Sequence, residues 1–124
     1  MARKQSQTLT EAELPIMEVL WDKGVATVGE VAEGLSKERV VAYNTVLTLM
    51  RILERKGYVE HTKDGRAFVY KPVVNRGDAS RTAVRQLLNR FFNDSPELLV
   101  LNLLRDQDID EREIERLRDL IGKE

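Results

Sequence analysis

The sequence predicts a mainly α-helical protein with a small β wing, in which a winged helix-turn-helix domain is followed by a domain of three helices. Three observations indicate this fold. A helical stripe of apolar residues runs from Val41 to Gly57, two short strand-like runs follow it, and the chain after residue 78 returns to helical spacing rich in leucine. A change of period from 3.6 to 2 directly after a helix is the signature of a helix followed by a hairpin.

Composition and charge narrow the class of protein. The chain has 124 residues, of which 42% are hydrophobic and 33% charged, with no cysteine and a net charge of −1. This fits one ordinary domain or two small ones. No apolar run approaches the roughly 20 residues of a membrane span, and the N-terminus lacks the apolar core of a signal peptide. We therefore expect a cytoplasmic protein without membrane insertion, disulfides, metal or cofactor.

Two helices are predicted before the apolar stripe. Thr10 and Glu13 form a capping box at the start of the first helix, which Gly24 ends. Thr27 and Glu30 form a second capping box before a shorter helix. The predicted core positions are Leu14, Met17, Leu20 and Trp21 in the first helix and Val28, Val31, Ala32 and Leu35 in the second.

The third helix has a polar face without carboxylates. Its buried stripe is predicted at Val46, Leu49, Met50 and Leu53, and its outward face at Asn44, Thr48, Arg51 and Arg55, with Thr45 beside them. Amide, hydroxyl and guanidinium groups can donate to phosphates and pair with base edges in the major groove of DNA. The predicted base contacts are Asn44, Thr45, Thr48 and Arg51, and the predicted phosphate contacts on this helix are Tyr43 and Arg55. A helix face that is merely solvated is the alternative.

A β-hairpin is predicted after the third helix. Tyr58–Lys63 and Arg66–Lys71 are short runs rich in aromatic and β-branched residues, and Asp64-Gly65 between them predicts a two-residue turn with positive φ at both positions. Lys63 and Arg66 would put two cations at the tip of this wing, where they would contact the phosphate backbone. The alternative is a capping hairpin whose charged ends serve solubility.

Three helices are predicted after the hairpin. The first runs from Ala79 to about Phe92, the second starts at Ser95 with Pro96 at the first helical position, and the third starts at a capping box of Asp110 and Glu113. The predicted domain boundaries are residues 1–72 for the winged-helix domain, 73–78 for a linker and 79–124 for a dimerisation domain.

The region 79–124 carries more apolar side chains than three short helices can bury among themselves. Domains near 40 residues usually need a partner, a metal or a disulfide for stability, so a second copy of the chain is the predicted partner. Packing against the chain's own N-terminal domain is the alternative. The predicted dimerisation residues are Leu87, Phe91, Leu98, Leu101, Leu104, Leu117 and Ile121.

The residue types that most enzymes need are scarce. His61 is the only histidine and there is no cysteine, so the sequence cannot form the usual zinc sites or catalytic triads. It also contains no glycine-rich phosphate loop. His61 lies in a predicted strand of the hairpin, where it is expected to pack or to contact phosphate. We therefore predict that the protein is not an enzyme and has no catalytic residues.

Three segments resemble the penicillinase-repressor family of winged-helix transcriptional repressors (BlaI/MecI/CopY type). They are LTEAELPIMEVLW, YNTVLTLMRILERKGYVEHTKDGRAFVYKP and ELLVLNLL, in that order, and the likeness extends from Leu9 to Lys123. The resemblance implies a homodimeric repressor of an antibiotic-resistance or stress operon that binds an operator of double-stranded DNA. Since two symmetric subunits read two half-sites, the operator is expected to be an imperfect palindrome.

The resemblance also implies particular site residues. Asn44, Thr45 and Thr48 match the family's base-contacting positions. Asn102 and Leu103 match the site at which a regulatory protease, activated by a membrane sensor, inactivates family members, although the second residue there is often phenylalanine. Copper-responsive relatives carry C-terminal cysteines, which this sequence lacks.

Two other functions fit the sequence. The near-zero net charge is compatible with a winged-helix module that binds protein instead of DNA. A ligand-sensing regulator is the other, although no polar cluster marks a pocket for a ligand.

Overall fold

The computed structural model describes residues 7–36, 40–106 and 108–122 and confirms the mainly α-helical class with a small β wing. Its elements in chain order are α1 (Glu13–Lys23), β1 (Ala26–Thr27), α2 (Val28–Leu35), α3 (Tyr43–Lys56), β2 (Val59–Asp64), β3 (Ala67–Pro72), α4 (Arg76–Phe91), α5 (Pro96–Leu104) and α6 (Glu111–Gly122).

The chain divides into two compact units, residues 1–84 and 85–124. Helix α4 begins at Arg76, inside the predicted linker, and runs through the boundary between the units. In the first unit the indole Nε1 of Trp21 donates to the Val74 carbonyl at 2.9 Å, and Ala79 is buried in the core. The first unit therefore includes chain beyond Pro72. The assignment of DNA binding to residues 1–72 and dimerisation to residues 79–124 remains a prediction.

The buried face of α1 differs from the prediction. Leu14 is 42% exposed, whereas Ile16, which was not predicted, is fully buried with Met17 and Leu20. The buried positions of α1 begin at Glu13, which is 2% exposed, and continue with Ile16, Met17 and Leu20. Their spacing is i, i+3, i+4 and i+7, as expected for one face of a helix. A glutamate therefore occupies a core position of this helix, and the leucine beside it faces outward.

The buried Glu13 carboxylate lies against the end of α3. Its Oε1 is 2.7 Å from Nζ of Lys56, which also donates to the Thr8 carbonyl at 3.2 Å. The hydroxyl of Tyr58 donates to the Gln7 carbonyl at 2.5 Å. Burial, and then the Glu13 charge, raise the pKa of Tyr58 above its usual value. These contacts connect the segment before α1 to the C-terminal end of α3.

The predicted capping boxes are confirmed as reciprocal hydrogen bonds. In each, the backbone N–H of the first residue donates to the glutamate carboxylate, and the glutamate N–H donates to the first residue's side chain, over 2.9 to 3.2 Å. The Ser95 hydroxyl likewise accepts from the N–H of Leu98 at the start of α5. The capping pairs are Thr10 with Glu13, Thr27 with Glu30, and Asp110 with Glu113.

The wing is part of a three-stranded antiparallel sheet in the order β1-β3-β2. Asp64 pairs with Ala67, so the two-residue turn consists of Gly65 and Arg66, and the predicted turn at Asp64-Gly65 was wrong by one residue. Of these turn residues Gly65 alone has positive φ, at 65°, which fits a hairpin turn with glycine at its first central position. Arg66 therefore lies at the tip itself. Strand β1 was not predicted, because two residues are too few for a pattern.

Candidate nucleic-acid interface

The outer face of α3 is polar and exposed, as predicted. Val46, Met50 and Leu53 on the opposite side are fully buried, which fixes the rotation of the helix on the core. The exposed side chains of this helix include the five predicted polar residues of the outer face: Asn44, Thr45, Thr48, Arg51 and Arg55.

Thr48 has a defined hydrogen-bonding state on this face. Its hydroxyl donates to the backbone carbonyl of Asn44 at 2.9 Å, one turn earlier. With the proton used in this bond, the oxygen presents lone pairs and the side chain presents a methyl group. In this state Thr48 can accept from an exocyclic amino group of adenine or cytosine and can contact a thymine methyl.

The wing brings the predicted cations to its tip. Lys63 is exposed near the end of β2, and Arg66 is exposed in the turn. Farther from the tip, Lys71 and Glu60 form a surface ion pair at 3.2 Å, so this pair of charges is mutually compensated. The remaining charges of the wing are Lys63, Asp64 and Arg66 at its tip, and they sum to +1. The wing therefore has its net positive charge at the tip, where a phosphate backbone would be met.

Helix α3 and the wing are joined by contacts that the sequence did not reveal. Nδ1 of His61 lies 2.7 and 2.9 Å from the two carboxylate oxygens of Glu54. The imidazole packs against Phe68 and Tyr70, with ring centroids 4.9 and 5.2 Å away. Burial, followed by the Glu54 charge, raises the pKa of Tyr70, while the charge of Arg51 opposes the shift. The His61 side chain thus packs within the wing and connects it to α3.

The described residues offer little else that carries chemistry. They include no group of three or more histidine, aspartate or glutamate side chains that could hold a metal ion. None of the helices in this part of the chain is long and apolar enough to cross a membrane.

The second unit exposes the predicted dimerisation residues. Among its described residues, Leu88 is the one buried apolar side chain. Phe91 is 70% and Ile121 69% exposed. The other predicted residues of this set, each between 40% and 46% exposed, are Leu87, Leu98, Leu101, Leu104 and Leu117.

The residues matching the family's cleavage site lie in the last turn of α5. Asn102 and Leu103 are both exposed, and the helix ends one residue later, at Leu104. Arg105 is the C-cap of this helix. The bond between Asn102 and Leu103 therefore lies in helical backbone, close to a helix end that can fray.

A profile of the penicillinase repressor family matches residues 9–123. The chain belongs to this family. The penicillinase repressor of Bacillus licheniformis is 32% identical over 118 residues, which cover 95% of this chain and 92% of the relative. The methicillin resistance regulatory protein MecI of Mammaliicoccus sciuri is 28% identical over 115 residues, covering 93% of this chain and 94% of that protein.

One solved structure of the penicillinase repressor family is informative about the site. The solution structure of the Bacillus licheniformis BlaI monomeric form in complex with the blaP half-operator superposes with a TM-score of 0.50, at 35% identity, over 58% of this chain and 88% of that one. The family resemblance and the winged-helix fold predicted from the sequence are confirmed. The roles of individual residues in this penicillinase repressor family member remain predictions.

Proposed function

We propose that the chain is a homodimeric, sequence-specific DNA-binding transcriptional repressor of an antibiotic-resistance or stress operon. The observation that carries the proposal is the exposed outer face of α3, which presents amides, hydroxyls and guanidinium groups beside a wing with cations at its tip. Membership of the penicillinase repressor family supports it, as does the similarity to a BlaI structure bound to half-operator DNA.

In this proposal α3 enters the major groove and the wing lies on the backbone beside it. Asn44, Thr45 and Thr48 read base edges, because their short side chains can approach the groove floor and present distinct donors and acceptors. Lys63 at the wing and Arg55 near the end of α3 contact phosphates, which carry no base information.

The exposed apolar surface of residues 85–124 supports the homodimer. A patch with this many exposed leucine, isoleucine and phenylalanine side chains is typical of a protein interface. In a twofold symmetric dimer the two copies of α3 would read half-sites centred about one helical turn of DNA apart, or a multiple of it.

The first prediction tests base readout by Thr48. On a palindromic duplex selected from a random pool, Thr48→Ala should weaken binding by about 1–3 kcal/mol and relax base preference at one position of each half-site. Lys63→Ala should weaken binding nearly equally on every duplex, because a phosphate contact is independent of sequence. Fluorescence anisotropy with the selected duplex and its single-base variants measures both.

Thr62→Ala is the matched control, because Thr62 is an exposed threonine of β2 that is assigned no DNA contact. It should leave affinity and preference unchanged. A wild-type chain that shows neither operator preference nor the steep salt dependence of phosphate binding would contradict the proposal and favour a module that binds protein.

The second prediction concerns release of the operator by proteolysis. A membrane-sensor protease of the family is expected to cut between Asn102 and Leu103, which detaches α6 from α4 and α5 and divides the apolar surface of the second unit. The cut should lower dimer stability and, with it, operator affinity. Because the bond is helical, cleavage requires fraying of the last turn of α5 and should be slower when dimerisation on DNA suppresses that opening.

The measurement is co-incubation with the protease, mass mapping of fragments and sedimentation of the products, with and without operator. Asn102→Ala serves as the control that removes the recognised residue from an exposed helical position. A cut at another bond would exclude this mechanism, and so would a cut here that leaves dimerisation and DNA affinity unchanged.

A further inference from the structure

A cleft of about 490 Å³ separates the wing from α3 within the first unit. One wall consists of Tyr43, Leu47 and Arg51 of α3, and the other of Arg66, Ala67 and Phe68 from the turn and β3. The first residues of α2, with their cap Thr27, close one end. Its volume lies in the range of about 300–1,000 Å³ typical of sites for small molecules.

The charges of this cleft are all of one sign. Arg51 and Arg66 line it, and no aspartate or glutamate does. Among the described residues, neither guanidinium takes part in an ion pair. A concave site with two uncompensated cations attracts an anion.

We propose that this cleft binds one phosphate group of the operator backbone, held jointly by Arg51 from α3 and Arg66 from the wing. The inference rests on the proposed DNA-binding function. A planar guanidinium matches a phosphate with two parallel hydrogen bonds. Tyr43 also lines the cleft, and its hydroxyl is of a type that can donate a further hydrogen bond. The half-exposed rings of Tyr43 and Phe68 provide an apolar surface for the attached deoxyribose.

This assignment changes the role of Arg51, which the sequence placed among the base contacts. Arg51 lines the cleft together with residues of the wing, whereas Asn44 and Thr48 do not line it. A phosphate bound between helix and wing fixes how deeply α3 enters the groove. Arg51 is then a positioning residue whose loss affects all sequences alike.

A double-mutant cycle with Arg51→Gln and Arg66→Gln tests the proposal in the full-length chain. Each variant should lose about tenfold in affinity on the selected operator, with base preference unchanged. Each should also lower the slope of log K against log salt by no more than about 0.9, the value for one phosphate. Because both side chains neutralise the same phosphate, the slope of log K against log salt should fall in the double variant by the value for one phosphate and not for two.

Arg55→Gln is the matched control, since Arg55 is an exposed arginine of the same helix that does not line the cleft. Combined with either cleft variant, it should give additive losses in affinity and slope. Circular dichroism of all variants checks that the fold is retained, which is expected because the three arginines are exposed.

Neutral methylphosphonate linkages, placed one at a time along the operator, locate the phosphate. At one position the substitution should weaken wild-type binding and remove any further loss from either Arg51→Gln or Arg66→Gln.

Two different positions for the two arginines would overturn the shared site, as would altered base preference in Arg51→Gln. A titration without DNA, in which millimolar inorganic phosphate shifts the Nε–H NMR signals of both arginines to saturation, would instead assign the cleft to a free anion. A wild-type chain that shows neither operator preference nor steep salt dependence would refute the DNA-binding function itself, a distinct result.

Discussion

Replacing Phe91 and Ile121 together by glutamine should separate the proposed dimer into monomers and lower affinity for a full palindromic operator by about 10²–10⁴-fold. These are the most exposed large apolar side chains of residues 85–124, so in the monomer they contribute little to folding. In a dimer they would be buried, and a buried unpaired amide is unfavourable. The loss arises because two linked half-site contacts become two independent ones.

The measurements are sedimentation equilibrium and anisotropy on full-operator and half-site duplexes. Affinity for a half-site should stay unchanged, since the recognition helix is not altered. Val25→Gln is the matched control, because Val25 is a similarly exposed apolar residue of the first unit, at 54% exposure. A double variant that still sediments as a dimer with full operator affinity would place the interface elsewhere.

Removing the carboxylate of Glu13 should have the largest effect on stability. Glu13→Ala should lower the free energy of unfolding by about 3 kcal/mol, the lower end for a broken buried ion pair, because Lys56 keeps some access to solvent at 16% exposure. The substitution leaves the Lys56 ammonium without its carboxylate, and the N–H of Thr10 without its side-chain acceptor. Urea denaturation followed by circular dichroism measures the change.

The comparison that isolates burial is Glu60→Ala, which breaks the Glu60–Lys71 pair where both side chains are 54% exposed. It should cost less than about 1 kcal/mol, as surface ion pairs do. Adding Lys56→Met to Glu13→Ala should recover part of the loss, since no charge is then left buried without a partner. If the Glu13 and Glu60 variants were equally stable, the buried pair would not contribute as inferred.

Local rules predicted the helices and their ends. The buried stripe of α3 follows from its 3.6-residue period, and Ser95 and the capping boxes follow from residue types three positions apart. The hairpin was predicted from Asp64-Gly65, but its turn consists of Gly65 and Arg66, one residue later, because glycine occupies the first central position. These features depend on neighbours in the chain, which a sequence displays directly.

Contacts between distant segments could not be predicted in the same way. Glu13 takes a core position of α1 because Lys56, 43 residues later, compensates its charge, and no local pattern indicates such a pair. The cleft beside α3 likewise requires the wing to fold back on the helix, which the contact between Glu54 and His61 secures. The outer face of α3 was predicted residue by residue, whereas the shared environment of Arg51 and Arg66 needed the structure.

The position of the single histidine gives the protein a built-in spectroscopic reporter. His61 is the only imidazole in the chain, so its two ring C–H resonances can be assigned in a proton spectrum without isotopic labelling. The ring lies beside Phe68 and Tyr70, whose ring currents shift those resonances while the wing stays docked on α3. Following the two lines during a DNA titration would therefore show whether the hairpin keeps its place against the helix or moves as the backbone is engaged.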